Sequence, residues 1–296
     1  MMAKKVVEIK ETEYLFFHLN SLIVKKENNK IVLPLSDIDT ILISNPYCTI
    51  SVPLINAIVS NNINLIICNK DFEPNVQLLS ISGYYSNKNF LSQINWTQEF
   101  KDKTWEKIIK LKTTNYVNLI YFFGLLNKED VEKFNFYYKK IIPGDKNSME
   151  GHIAKLTFKN LYGSTFNRTD KENEINKFLN YGYTILMTYV SRNLVKKGYD
   201  NRIGVFHKSF NNHFALATDL MEPFRFLIDK LVYELLIIEK NYDFINFKKK
   251  VFLIFEEKIL LNKSPISVNE YICKLIENFI NKDFNFESLE IDWNKK

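Results

Sequence analysis

The sequence predicts an α+β protein: a small N-terminal β-rich domain of strands plus one helix, followed by a larger all-α C-terminal domain. Three observations predict it. The 296 residues are 46% hydrophobic and 15% aromatic, which excludes disorder and supplies matter for full cores in about two domains. Near residue 85 the apolar period changes from the strand value of about 2 to the helical value of about 3.6. Charge changes in the same region. Residues 1–84 carry −1 and the remainder +7, so the basic back of the chain suits a polyanionic partner.

The front domain, drawn as residues 1–85, reads as short β-branched and aromatic runs between polar turns. The strands are Val6–Ile9, Tyr14–His18, Ser21–Lys25, Lys30–Leu33 and Thr40–Ile43, with Glu27-Asn28-Asn29 as a hairpin turn. Ser51–Asn61 switches to helical spacing, with Leu54, Ile55, Ile58 and Val59 following Pro53. Asn64–Cys68 and Val76–Ile81 return to strand. Lacking clustered charge, this domain suits packing or dimerisation. Gly83–Asn89 is rich in Gly, Ser and Asn and marks a linker, drawn over 86–95. From residue 96 to 296 apolar stripes mark helices at Thr104–Leu126 and Val131–Ile142, through Ile153, Leu156 and Leu161, and over Phe178–Val195. Phe224, Leu227, Ile228, Leu231, Leu235 and Ile238 mark a long amphipathic helix. Breaks fall at Pro143-Gly144-Asp145, at Gly163 and across Gly198–Asn212.

Several classes drop out. Cys48, Cys68 and Cys273 are odd in number and far apart, which predicts reduced, mostly buried thiols and no disulfide framework or metal knuckle. Charges at Glu8, Lys10 and Glu11 interrupt any signal-peptide core, and the apolar run Tyr116–Leu126 is far shorter than a membrane span, so a cytoplasmic protein without membrane contact is expected. The eight glycines form no phosphate-cradling loop, and neither a hydrolase elbow nor a zincin motif is present.

Carboxylates and four histidines remain. Ser148-Met149-Glu150-Gly151-His152 opens a helix, which puts Glu150 in its first turn. An acid there stabilises the helix dipole by about 0.3–1 kcal/mol, an ordinary structural role. Gly151 points elsewhere: glycine inside a helix costs roughly 1 kcal/mol against alanine, so something is expected to approach the backbone closely. Asp219-Leu220-Met221-Glu222-Pro223-Phe224-Arg225 has two readings. It is a helix start with Glu222 as N-cap and Arg225 paired to an acid, or a pair of oxygen ligands for a divalent cation with Arg225 steadying a carboxylate. His207 alone reads as a surface loop residue, as do His18 and His213, while His152 stays open. One imidazole and two carboxylates together form a hard N/O set suited to Mn²⁺ or Mg²⁺. On a basic surface that set fits phosphodiester chemistry without a protein nucleophile. Lysines within 101–112 and at Lys139-Lys140 either track a nucleic-acid backbone or form a solvated face.

Four blocks in order carry a resemblance: Glu150-Gly151-His152-x-Ala154-x-x-x-Phe158, Asn180-Tyr181-Gly182-Tyr183-Thr184, Gly204-x-x-His207, and Asp219 through Arg225. Behind a β-rich front domain they resemble the adaptation integrase of CRISPR systems, the large Cas subunit that inserts new spacers, and most closely its type II branch. Spacings of 57 from Glu150 to His207 and 15 from His207 to Glu222 are similar to that branch. The resemblance implies a catalytic metal site of Glu150, His207 and Glu222 holding Mg²⁺ or Mn²⁺, with Asp219 and Arg225 assisting. It implies a transesterification in which a spacer DNA 3′-hydroxyl attacks a phosphodiester at the repeat border. It further implies double-stranded DNA as partner, a homodimer formed through the β domain, and two dimers bridged by the small adaptation subunit into a hetero-hexamer. The chain departs from many relatives in having Glu222 where they carry Asp, and Phe226 where a proline is common. Two other readings stand beside this one: a glycosidase using Glu150 and Glu222 as paired carboxylates, and a non-catalytic helical DNA-binding assembly subunit.

Overall fold

A computed structural model describes residues 5–11, 13–26, 29–45, 47–70, 74–78, 88–207, 212–261 and 264–280. The chain divides into two units, Met1–Tyr84 and Tyr85–Lys296. In the first, the elements are β1 (Lys5–Ile9), β2 (Tyr14–His18), β3 (Ser21–Lys26), β4 (Asn29–Pro34), β5 (Ile38–Ile43), β6 (Thr49–Ile50), α1 (Val52–Ser60), β7 (Asn64–Cys68) and β8 (Pro74–Leu78). One sheet runs β1-β5-β7-β8, parallel except at the β7–β8 edge. The other runs β4-β3-β2-β6, antiparallel except where β6 joins β2. Parallel neighbours cannot be linked by tight turns, so β2 to β4 intervene between β1 and β5, and α1 between β5 and β7. Leu19 and Asn20, at φ 44° and 53°, form the two-residue turn whose twist suits the β2–β3 pair. Ile9, Leu15, Leu22, Ile41, Leu54 and Ile58 draw both sheets and α1 into one apolar core. The expected hairpin residues Glu27 and Asn28, and the linker residues 83–87, lie outside the described residues.

In the second unit the helices are α2 (Lys88–Ile94), α3 (Gln98–Phe122), α4 (Lys128–Lys140), α5 (Met149–Tyr162), α6 (Glu174–Lys196), α7 (Ala215–Met221), α8 (Arg225–Val232), α9 (Phe244–Ile254) and, after strands β9 (Lys258–Leu261) and β10 (Ser264–Ser267), α10 (Val268–Ile280). α3 packs against α4, α5, α7 and α8. Its buried stripe Trp105, Ile108, Ile109, Lys112, Tyr116, Leu119 and Ile120 follows helical spacing. Gly182 lets α6 close on α8, since a Cβ there would lie 2.4 Å from Ile228 Cγ2.

Three expectations are corrected. Residues 88–94, expected within the linker, form α2, because Gln93 is fully buried and its amide bonds the Asp200 and Ile203 carbonyls, each at 2.8 Å. The C-terminal region is mostly helical, as the fold class requires, but not purely so: β9 and β10 pair antiparallel, with Ile259 and Leu261 alternating inward. The long helix expected over Phe224–Ile238 is three pieces, a 3-10 turn at Glu222–Phe224, α8, and a π-turn at Tyr233–Ile238. Of the thiols, Cys68 alone is buried; Cys48 and Cys273 are half-buried, and none of the three is in a disulfide. Among the described residues no helix is long and apolar enough to cross a membrane.

Candidate active site

Glu150 owes its place to a capping arrangement. Ser148 sits at φ 53° and makes no capping bond, so α5 is capped from further back. Asp145 Oδ1 accepts the Met149 N–H at 2.9 Å and Oδ2 the Glu150 N–H at 3.0 Å. Gly144 permits that turn: its φ is 75°, and a Cβ would stand 3.0 Å from the Asp102 carboxyl. Glu150 then reaches inward and meets the Lys112 ammonium at 2.5 Å. Among the described residues nothing makes the close approach expected at Gly151, since no atom beyond its chain neighbours and its own helix backbone lies within 4 Å of a Cβ built there.

Glu222 opens the 3-10 turn between α7 and α8, fixed by Asn115 of α3 donating to the Pro223 carbonyl at 2.8 Å. It is not the N-cap expected from the sequence; Met221 holds that position and no side chain caps the turn. Glu222 is 5% exposed, with Oε2 at 2.7 Å from Lys112 Nζ and Oε1 at 2.8 Å from Arg225. The Oε2 contact is an ion pair without a directed hydrogen bond. Burial pushes the Glu222 carboxyl up, but Arg225 and Lys112 outweigh it and hold the group below the ordinary range. Burial likewise opposes the Lys112 charge, and Glu222 and Glu150 keep the ammonium above its ordinary value. Arg225 lies over the Tyr183 ring at 4.6 Å.

His207 is held by a clamp. Asp219, fully buried, accepts the Val205 and Phe206 N–H groups on Oδ2 at 2.6 and 2.9 Å and the His207 N–H on Oδ1 at 3.2 Å. The same Oδ1 lies 2.5 Å from His207 Nδ1, so the ring is oriented by a carboxylate and its Nε2 is turned away from it. Asp219 and Glu222, three apart, therefore serve different partners and are not a joint oxygen pair. Gly204 makes the clamp possible: a Cβ would fall 2.8 Å from Asp219 Oδ2. Phe206 stacks on Trp105 at 4.2 Å, and the His207 ring meets the same indole edge-on at 5.7 Å. The Asp219 hydrogen bond raises the His207 imidazole above its ordinary value against the effect of burial, and Glu222 adds to the rise. Imidazole and second acid thus lie in one another's field.

Trp105 and Lys112, seven residues apart, share a face of α3; one carries His207 and the other both acids. The donor chemistry suits a hard divalent cation: two carboxylates already share one positive charge, a buried carboxylate oxygen lacks a directed hydrogen bond, and the imidazole is oriented from behind. As they stand, no three His, Cys, Asp or Glu side chains among the described residues are gathered tightly enough to hold one ion. The Lys112 ammonium occupies the place between the acids. His152 is exposed and stacks on Tyr137, and His18 and His213 are exposed. Lys112, which the sequence places among the lysines of residues 101–112 that track a backbone or form a solvated face, is 5% exposed and paired, which removes it from that surface. Sequence reading also missed Asp229, a buried carboxylate taking hydroxyl donors from Tyr183 at 2.6 Å, Tyr116 at 2.7 Å and Tyr162 at 3.1 Å. Burial holds that carboxyl above its ordinary value despite the three donors.

Fold and site together define an α+β protein whose helical unit gathers two acids and a carboxylate-held imidazole about one central helix. The model of the family described as CRISPR associated protein Cas1 matches residues 7–142 and 147–263. A CRISPR-associated endonuclease Cas1 of Neisseria meningitidis is 31% identical over 72% of this chain and 70% of its own length. Two solved structures share the fold: a Cas1 protein from Thermotoga maritima (TM-score 0.74, 15% identity, 95% of this chain and 97% of that one) and a casposase bound to integration product (TM-score 0.74, 16% identity, 95% and 91%). The chain belongs to the CRISPR-associated protein Cas1 family.

Proposed function

We propose that the chain is a divalent-metal-dependent DNA endonuclease and integrase of the type II-like branch, which inserts spacer DNA into a CRISPR array. The observation that carries this reading is the convergence of Glu150 and Glu222 on one buried positive charge, beside an imidazole already oriented by Asp219. Family membership and the relative named as an endonuclease support it. Glu150, Glu222 and His207 Nε2 would hold Mg²⁺ or Mn²⁺, which when bound supplies charge neutralisation at the phosphodiester and eases deprotonation of the attacking hydroxyl. Asp219 holds Nδ1 of the imidazole and so leaves Nε2 for a ligand, and Arg225 takes one Glu222 oxygen and leaves the other to Lys112. In the reaction a P–O bond forms from the spacer 3′-oxygen as the bond to the leaving 3′-oxygen of the repeat strand breaks, and one proton passes from the entering to the departing oxygen. The proposed partners are double-stranded DNA, a second copy of the chain in a homodimer, and the small adaptation subunit, a dimer of which bridges two such homodimers into a hetero-hexamer.

A half-site integration assay with and without EDTA tests this. His207→Ala and Glu222→Ala each are expected to lower strand transfer by roughly 10³-fold or more while leaving DNA binding within a few-fold of wild type. Full activity in either variant, or activity indifferent to EDTA, overturns the reading in favour of an assembly subunit whose acids are structural.

A further inference from the structure

We infer that Lys112 is the site's own counter-cation: without a divalent ion its ammonium joins Glu150 to Glu222, and an incoming ion competes with it for the two carboxylates. The inference rests on the metal reading above. Position is the first support, since Nζ lies 2.5 Å from a Glu150 oxygen and 2.7 Å from Glu222 Oε2, joining acids carried by α5 and by the 222–224 turn. Glu222 Oε1 is taken by Arg225 at 2.8 Å, so a cation shared by both acids has to use the oxygen that now faces Lys112.

The two basic groups are not equivalent. Arg225 is a planar guanidinium laid over the Tyr183 ring at 4.6 Å, whereas the lysine charge is compact and sits at the end of a flexible four-carbon stem. One is fitted to stay and the other to move. Burying an ammonium is costly unless it is paired, and Lys112 interrupts the apolar stripe formed by Ile108, Ile109 and Tyr116. Without it, two neighbouring carboxylates would repel across a site in which Glu222 is 5% exposed. Its presence between them also accounts for the donors not closing around one point.

The full-length protein is titrated with Mn²⁺ by calorimetry and melted with and without Mn²⁺, as wild type, Lys112→Met and Lys112→Gln. The metal-free variants are expected to melt several degrees lower, to recover more than wild type on adding Mn²⁺, and to bind Mn²⁺ about tenfold more tightly. Equal or weaker binding in the variants, with Glu222→Gln abolishing it in each, overturns the role of Lys112 and leaves the metal site standing. If Mn²⁺ binds none of the proteins, the metal reading falls and this inference with it. A wild-type measurement keeps the test independent of whether the variants fold: on ¹⁵N-lysine-labelled protein the Lys112 ammonium resonance, protected in its ion pairs, must shift or exchange away as Mg²⁺ is added, and an unchanged resonance at saturating Mg²⁺ overturns the inference.

Discussion

Gly204, in the His207 clamp, and Gly151, next to Glu150, predict opposite outcomes for the same methyl group. At Gly204 a Cβ would lie 2.8 Å from both Asp219 Oδ2 and the His207 carbonyl, so Gly204→Ala has to push the clamp apart. Strand transfer is expected to fall at least tenfold, with a loss of stability of about 1–3 kcal/mol from the disturbed buried carboxylate, read by assay and by denaturant melting. At Gly151 the space is open, and Gly151→Ala is expected to stabilise α5 by about 0.5–1 kcal/mol. If Gly151→Ala melts higher yet loses strand transfer, the close approach read from the sequence is made by DNA. Glu150, His207 and Glu222 each have an ordinary reading in their own segment, and only the resemblance joins them into a set, because 57 and 15 residues separate them. Lys112 was legible in principle, as a charge at core spacing in α3, but its two partners lie 38 and 110 positions away and no local pattern names them. Asp145 was hidden by Ser148, which occupies the usual capping position and leaves it unused.

Helix starts show the same division between local and distant causes. The Asp145 cap reaches across a turn with three positive-φ residues, Gly144, Asp145 and Ser148, and Asp145→Ala is expected to cost about 1–2 kcal/mol and to lower strand transfer by loosening the first turn that carries Glu150. At α10 the cap is local: Ser267 Oγ accepts the Glu270 N–H at 3.1 Å and Glu270 Oε2 accepts the Ser267 N–H at 2.7 Å, a reciprocal box. That Ser267 N–H holds the Glu270 carboxyl below its ordinary value. A carboxyl lowered on folding stabilises above its unfolded pKa of about 4.3, and the contribution is lost as pH falls through the lower folded value. The melting difference between wild type and Glu270→Ala should therefore be on the order of 0.5 kcal/mol at pH 7, because solvent screens the exposed carboxylate, and shrink steadily below pH ~4, whereas a difference independent of pH would show that the carboxylate charge takes no part. Strands β2, β3 and β7 were readable from alternation and β-branching, and α3 and α6 from their stripes. β6 was not, because two residues are too few to show a period. The π-turn after α8 also keeps a helical apolar spacing, so only the backbone reveals it.

Charge is unevenly divided along the chain, −1 over residues 1–84 and +7 over the rest, but a sum does not say which cations remain free for a polyanion. Several do not. Lys103 and Lys110 each pair with a glutamate one turn earlier at 2.6 Å, and Lys112 is enclosed between two acids. Surface pairs of the first kind contribute little and open readily, so Lys103 and Lys110 still count toward a DNA-facing field, whereas Lys112 does not. Lys139 and Lys140 close α4 and are exposed. If they contact phosphate, each releases counterions, and replacing both with glutamine should reduce the slope of log affinity against log salt by roughly 1.8 on duplex DNA. Measured in EDTA, Lys112→Gln should leave that slope unchanged, since its charge is already spent within the site. A slope that falls for Lys112→Gln and not for the Lys139/Lys140 pair would place the DNA path over the acids in the metal-free protein and away from the end of α4.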